Sequence, residues 1–147
     1  MNSQEFCERI VDETMRRFHK INILINNAGI YKAGNLLELK LPDYDNIMNT
    51  NVRSVIMLTK LCLSVLIENK GVIVNNSSIH GTCSMPGIMA YSISKAALDQ
   101  FTKCLALELA DKQVRVNSVN PGTTQAHLIK IVGPDEIETV RFLLFSI

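Results

Sequence analysis

The chain contains no tryptophan, and phenylalanine and tyrosine bring its aromatic content to only 5%. No aromatic residues interleave with a basic run, so the stacking platforms and charged stripes of nucleic-acid binders have no counterpart here. Charge of one sign is lacking as well: 15 basic residues face 14 acidic ones, for a net charge of +1. Cys7, Cys62, Cys83 and Cys104 form no CxxC pair and have no neighbouring histidine pair. That excludes a zinc frame, so no metal is expected, and it fits reduced thiols in a cytoplasmic compartment better than a disulfide scaffold. An uninterrupted apolar span is also missing. The most apolar stretch, Val52 to Ile67, is broken by Arg53 and Lys60 and is expected to be a buried helix, not a membrane segment. The opening MNSQEFCERIVDETMRRF is too acidic and amphipathic for a signal or transit peptide. Repeats, low-complexity tracts and linkers are absent.

What is present is an ordinary globular composition, 47% hydrophobic and 20% charged over 147 residues, enough for one domain with a real core. Phe6, Ile10, Thr14 and Phe18 recur at intervals of four and predict a helix over 2–18. Ile21 to Ile25 is a short apolar run closed by Asn26-Asn27-Ala28-Gly29, the pattern of a buried parallel strand ending in a turn. A long helix is expected from Pro42 to about residue 68, a second strand over 71–74 and a third over 113–119. A weak helix follows from about 134. Strand–helix–strand–helix–strand predicts an α/β fold, a doubly wound parallel sheet covered on both faces, with right-handed crossovers. Ligand groups gather at the C-terminal ends of such strands. All three strands end in polar or glycine-containing turns: NNAG, NNSS and NPG.

Just beyond the second turn, Pro86-Gly87 opens a helix whose stripe comprises Ala90, Ile93, Ala97, Leu98, Phe101, Leu105 and Leu109. Tyr91 and Lys95 stand four residues apart in it and share a face. A free phenol has a pKa near 10 and is a poor acid–base group at neutral pH. An ammonium about 6 Å away, at an effective dielectric near 20, favours the phenolate by roughly 3 kcal/mol, or about two pKa units. That expectation brings Tyr91 towards the range useful for proton transfer. An interfacial tyrosine and a solvated lysine would produce the same spacing, so the pair needs the rest of the chain.

The combination of NNAG after a strand, an Asn in a long helix, a Ser ahead of YxxxK and the run VNSVNPG resembles the short-chain dehydrogenase/reductase family over roughly residues 10 to 125. The resemblance implies a partial Rossmann-like sheet and an NAD- or NADP-dependent oxidoreductase, moving hydride between nicotinamide and a carbonyl or secondary alcohol. It assigns Tyr91 as proton donor or acceptor, with Lys95 lowering its pKa and holding the nicotinamide ribose. Ser78, thirteen residues before Tyr91, would hydrogen-bond the substrate oxygen, although Ser77 offers a second hydroxyl and either could cap the strand end. Asn51 would hold a water that connects Lys95 to solvent. An Asn is unfavourable mid-helix, so a polar role is credible, and a structural back-bonded Asn is the alternative. Asn27, Ala28 and Gly29 would lie against the adenosine half of the cofactor, where a larger side chain would collide. Asn26 and Asn27 are also expected to stitch neighbouring strands together. Pro121, Gly122 and Thr123 would form the nicotinamide side. His80, Cys83, Met85 and Met89 lie where relatives shape the substrate pocket, and their mixture predicts a moderately hydrophobic small-molecule carbonyl or alcohol.

Three departures qualify the resemblance. Asn76 stands where the family has an apolar residue before the paired serines. Ala126 occupies a position commonly taken by a hydroxyl, so Thr123 or Thr124 would have to substitute. The Gly-rich TGxxxGxG turn, which offers backbone amides to a pyrophosphate, does not occur. Residues 1–147 are therefore expected to be a single incomplete domain, lacking the first βαβ units and the last strand and helix of the family fold. A homo-oligomer is expected of the full-length form through its long helices. A non-catalytic truncated protein, serving as an oligomerisation or binding partner, is the alternative reading. Alone, the chain is expected to be aggregation-prone or only partly ordered, with an apolar sheet edge and the final FLLF uncovered. A monomeric, sharply melting sample in light scattering and thermal unfolding would contradict that.

Overall fold

A computed structural model describes residues 4–122. Thr123, the helix expected from 134 and the final FLLF lie outside the described residues. Helix α1 (Gln4–Phe18) leads to strand β1 (Ile23–Asn26). Helix α2 (Leu41–Met48) runs through a π-helical turn, Asn49–Arg53, into α3 (Ser54–Glu68). Strand β2 (Val72–Asn76) and a 3-10 turn at Ile79–Gly81 precede α4 (Met89–Glu108), and β3 (Arg115–Val119) completes the set.

The three strands pair in parallel in the order β1-β2-β3, with Leu24 opposite Ile73 and Ile73 opposite Val116. Two right-handed crossovers stepping the same way across a sheet put both connections on the same face. Burial follows that rule. Leu24, Ile73 and Val116 are buried beneath the helices, whereas Ile23, Ile25 and Val119 on the other face are 61%, 62% and 48% exposed. Within the described residues, then, one face of the sheet is covered rather than the expected two.

The core joins Leu24, Ile73 and Val116 to Cys62 and Leu66 of α3 and Leu105 of α4. Each fully buried aliphatic side chain contributes about 1.5–3 kcal/mol. Helix α1 buries Cys7 and packs Val11 and Met15 on this core. The expected stripe of Phe6, Ile10, Thr14 and Phe18 is one position out of phase. Ile10 and Phe18 are exposed, and the Phe6 and Phe18 rings lie under the guanidinium groups of Arg9 and Arg17. Both stripes repeat every four residues, so periodicity alone could not choose between them. In α3 a single stripe, Val55, Thr59, Cys62 and Leu66, is buried while Ile56 stays exposed. Ile93 of α4 is exposed too, because Ser94 and Lys95 take the inward positions.

A belt of polar side chains crosses the buried face one layer above the apolar core. Asn26 Nδ2 donates to Thr59 Oγ1 at 3.2 Å and to Asn75 Oδ1 at 2.8 Å. Asn75 Nδ2 donates to Thr102 Oγ1, and Thr102 Oγ1 to the Leu98 carbonyl, each at 2.8 Å. On the open side Asn76 Nδ2 donates to Asn27 Oδ1 at 2.7 Å. Asn26 and Asn27 therefore do tie β1 to β2, as their sequence position implies. Asn75 is wholly buried, so replacing it orphans groups that no water can reach. Asn75→Leu should lower the unfolding free energy by about 1–3 kcal/mol despite the gain in apolar surface, read as a reduced urea midpoint. An unchanged midpoint would mean the belt contributes nothing net.

Candidate functional site

Parallel strands end on the same edge, so the turns after Asn26, Asn76 and Val119 converge there. The π-helical turn supplies the first element. Its wider coil lets the Ser54 N–H reach Asn49 O, five residues back, and Asn51 points inward, 1% exposed. Asn51 Oδ1 accepts from the Ile30 N–H at 2.8 Å. Its Nδ2 donates to the Ile30 carbonyl at 2.9 Å and to Ser94 Oγ at 3.0 Å. Asn51 thus clamps the turn after β1 onto α4. Both amide protons are spent on protein, so a water could reach this side chain only through the remaining Oδ1 lone pair. Gly29 sits directly over the clamp: a Cβ there would lie 3.3 Å from Asn51 Oδ1 and 3.7 Å from Lys95 Nζ.

The second element is α4. The Lys95 Nζ donates to the Asn76 carbonyl at the end of β2, at 2.7 Å, and lies 5.5 Å from the centre of the Tyr91 ring. The spacing of four therefore brings the two side chains together as expected. Lys95 is only 5% exposed. Burial drives its pKa down to about 8, against an upward pull from Asp99. The expected lowering of the Tyr91 pKa is not met. Burial pushes the phenol above its ordinary value, a hydrogen bond with Ser78 pulls it partly back, and Tyr31 adds a smaller upward push. Lys95 does not offset the burial, because its Nζ is drawn to the Asn76 carbonyl and meets the face of the Tyr91 ring. The Tyr31 ring packs edge-on against Tyr91, with centroids 5.4 Å apart.

The paired serines separate in role. Ser77 Oγ donates to the Lys95 carbonyl at 3.2 Å and fastens β2 to α4. Ser78 is the one that reaches Tyr91. Its Oγ also accepts from the His80 N–H at 3.2 Å and approaches the Pro121 carbonyl at 3.5 Å. Pro121 O further accepts from the Ile79 N–H at 3.1 Å, so the turns after β2 and β3 are joined. Gly122 continues that turn, half-buried. Asn27 keeps its side chain on Asn76, which leaves Ala28 and Gly29 to present backbone. Asn27 and Ala28 also line a cleft of about 260 Å³ with Cys7, Ile10, Val55 and Leu58.

Of the residues expected around a substrate, His80 is half-buried and its Nδ1 lies 3.3 Å from the Cys83 carbonyl. Cys83 and Met85 are exposed, and Met89 is half-buried in the first turn of α4. Four neighbours were not picked out from the sequence: Tyr31, Ser94, Asp99 and Asn120. None carried a sequence signal: Asp99 lies off the apolar stripe expected for α4, and only the face that is buried in the fold includes it.

The pattern of the family described as short chain dehydrogenase matches residues 1–136. An uncharacterized oxidoreductase of Thermotoga maritima is 42% identical over 121 residues, 82% of this chain and 48% of that protein. The 3-oxoacyl-(acyl-carrier-protein) reductase FabG of the same organism is 36% identical over 123 residues, 83% of this chain and 50% of its own length. The crystal structure of a short-chain dehydrogenase from Streptomyces avermitilis superposes with a TM-score of 0.82 at 30% identity, covering 86% of this chain and 47% of that one. The chain spans about half the length of the curated relatives it matches.

The buried lysine has a thermodynamic signature. Its folded-state pKa, about 8, lies below the ordinary 10.5. The unfolded chain therefore binds more protons between those values, and stability rises with pH across that window. Below about pH 8 the burial penalty is fully present, on the order of 3 kcal/mol. Wild type should gain stability relative to Lys95→Met between pH 8 and 10, measured by urea unfolding. Parallel curves for the two proteins would show that Lys95 is not charged and buried as described.

Proposed function

The chain belongs to the short chain dehydrogenase family, and on that premise we propose that it carries the catalytic half of an NAD- or NADP-dependent oxidoreductase acting on a carbonyl or secondary alcohol. The observation that carries this reading is the convergence of Asn51, Ser78, Tyr91 and Lys95 at the C-terminal edge of the sheet, with Ser78 bonded to Tyr91 and Lys95 against the Tyr91 ring. When bound, a nicotinamide dinucleotide supplies the hydride donor or acceptor. Its fit is supported by Gly29, where a Cβ would crowd Asn51 and Lys95, and by the cleft beside Asn27 and Ala28, suited to the adenosine half. Lys95 would leave the Asn76 carbonyl for the nicotinamide ribose, and Pro121, Gly122 and Thr123 would flank the nicotinamide.

Each residue then has a task. A phenol whose pKa is raised by burial stays protonated at neutral pH, so Tyr91 can donate to a carbonyl oxygen. Ser78 can donate to the same oxygen and stabilise charge developing on it. In the reverse direction the acceptor is the Tyr91 phenolate, formed only after the phenol has lost its own proton and favoured by the Lys95 ammonium beside it. It takes the alcohol proton to become the phenol again. Asn51 keeps the turn after β1 against α4, which holds Lys95 in register. Met85 and Met89, together with exposed Leu36 and Leu37, favour a moderately hydrophobic substrate. The loop carrying those leucines is pinned to the Tyr91 helix entrance by the Gly34 N–H donating to Gly87 O at 2.7 Å. A 3-oxoacyl thioester is one compatible class. Exposed Ile56 on α3 and Ile93 on α4 support a homo-oligomer, and four cysteines that form no disulfide support a cytoplasmic setting.

A second reading, a non-catalytic chain that binds a partner, is favoured by the exposed Ile23 and Ile25 on the open sheet face. Titration with NADH and NADPH separates the two: absence of binding up to millimolar would exclude catalysis by this chain alone. If it turns over, Tyr91→Phe should reduce carbonyl reduction by about 10²–10⁴-fold, and retained turnover would sink the role given to Tyr91.

A further inference from the structure

Among the described residues only two charged side chains are buried, Lys95 at 5% and Asp99 at 8% exposure. They stand one helical turn apart on α4. A carboxylate at an inward helix position is costly to desolvate, and an alkyl group would pack there without that cost. Among the described residues no ion pair offsets it, because Lys95 Nζ is spent on the Asn76 carbonyl.

What Asp99 meets instead is Asn120, at the end of β3. Asn120 Nδ2 donates to Asp99 Oδ1 at 3.0 Å and Oδ2 at 3.1 Å, and also to the Ser78 carbonyl at 3.1 Å. Ser118 Oγ fixes the amide from behind by donating to Asn120 Oδ1 at 3.0 Å. The Gly81 N–H donates to the same Ser78 carbonyl at 3.0 Å. Gly81 is required for this arrangement, since a Cβ there would come within 2.1 Å of Asp99 Oδ2 and 3.2 Å of the Lys95 carbonyl carbon. The carboxylate therefore lies over Gly81 and gathers three segments: the turn bearing Ser78, the turn bearing Pro121, and α4.

We infer that Asp99 is a positioning residue of the site, which through Asn120 and Gly81 aims Ser78 and places a negative charge one turn below the Lys95 ammonium. Its meaning for catalysis rests on the oxidoreductase reading; its physical content does not. The other groups facing Lys95 are few. Tyr91 lies on the same helix, Tyr31 stands behind Tyr91, His80 follows Ser78 on the 3-10 turn, and β2 and the π turn present only the Asn76 carbonyl and Asn51. Among the described residues Asp99 is thus the anion that opposes the loss of the lysine's proton, as the direction of its effect on Lys95 indicates.

The test is a pH titration of Lys95 in the 147-residue chain without cofactor, followed by NMR of isotope-labelled lysine. Asp99→Asn, which keeps the shape and an acceptor for Asn120, should move the Lys95 midpoint about one unit below its value in wild type. Asp99→Glu should restore it. Asn120→Ala keeps the charge and cuts the tie to Ser78, so the midpoint should hold. In an active preparation kcat should fall with KM unchanged. If Asp99→Asn does not fold, Asp99→Ser, neutral and smaller, gives the same reading. A midpoint identical in wild type and the neutral variant would overturn the inference. A chain that reduces no carbonyl at all would overturn only the oxidoreductase reading, because the titration is read without turnover.

Discussion

Everything at the C-terminal edge of this sheet depends on keeping one ammonium group out of water. Lys95 is an inward residue of α4, and its Nζ is held by a main-chain carbonyl at the end of β2. That contact requires Asn76 O to be free of a ladder partner, which a strand end provides. It also requires the turn after β1 to come close, which Gly29 permits and Asn51 enforces. The burial costs free energy, and the apolar layer beneath, centred on Leu24, Ile73 and Leu66, makes up for it. Stability is thus concentrated one layer away from the groups that could do chemistry.

Between the two layers runs the belt of Thr59, Asn26, Asn75 and Thr102. A parallel sheet usually reads as a continuous apolar run, and here that run switches to amides at the level where the apolar core ends. Because Asn26 and Asn75 are register partners, the switch occurs at the same height in both strands. The belt therefore marks the border between the packed core and the site, and its directional bonds set the strand register that brings the three turns together.

Much of this could be read from the sequence, for reasons that differ between elements. Strands closed by NNAG, NNSS and NPG were legible because short apolar runs and turn formers are local signals. Tyr91 and Lys95 were legible because helical spacing fixes relative direction. The face of α1 was not, since Phe6 and Cys7 both begin stripes of period four, and tertiary packing chose the smaller one. The ionisation of Tyr91 was not legible, because a pairwise charge argument contains neither desolvation nor the carbonyl that Lys95 binds. Asp99 and Asn120 were invisible together. They lie 21 residues apart, on different elements, and only the fold makes them neighbours.

The π turn carries a consequence for how this segment tolerates insertion and deletion. A turn of five residues per hydrogen-bonded loop, in place of four, stores one extra residue within an otherwise regular helix. Removing any single residue from Asn49–Arg53 would let the helix close into an ordinary α coil, with little local penalty. Each residue of an α-helix turns the chain by about 100°, so everything on the far side would rotate by that amount relative to α3. Asp43 would swing away from Lys32, its partner at 2.6 Å, and Asn51 would no longer face Ile30. One residue of slack in the coil therefore serves as the angular offset between the helix that packs on the sheet and the helix that flanks Tyr91.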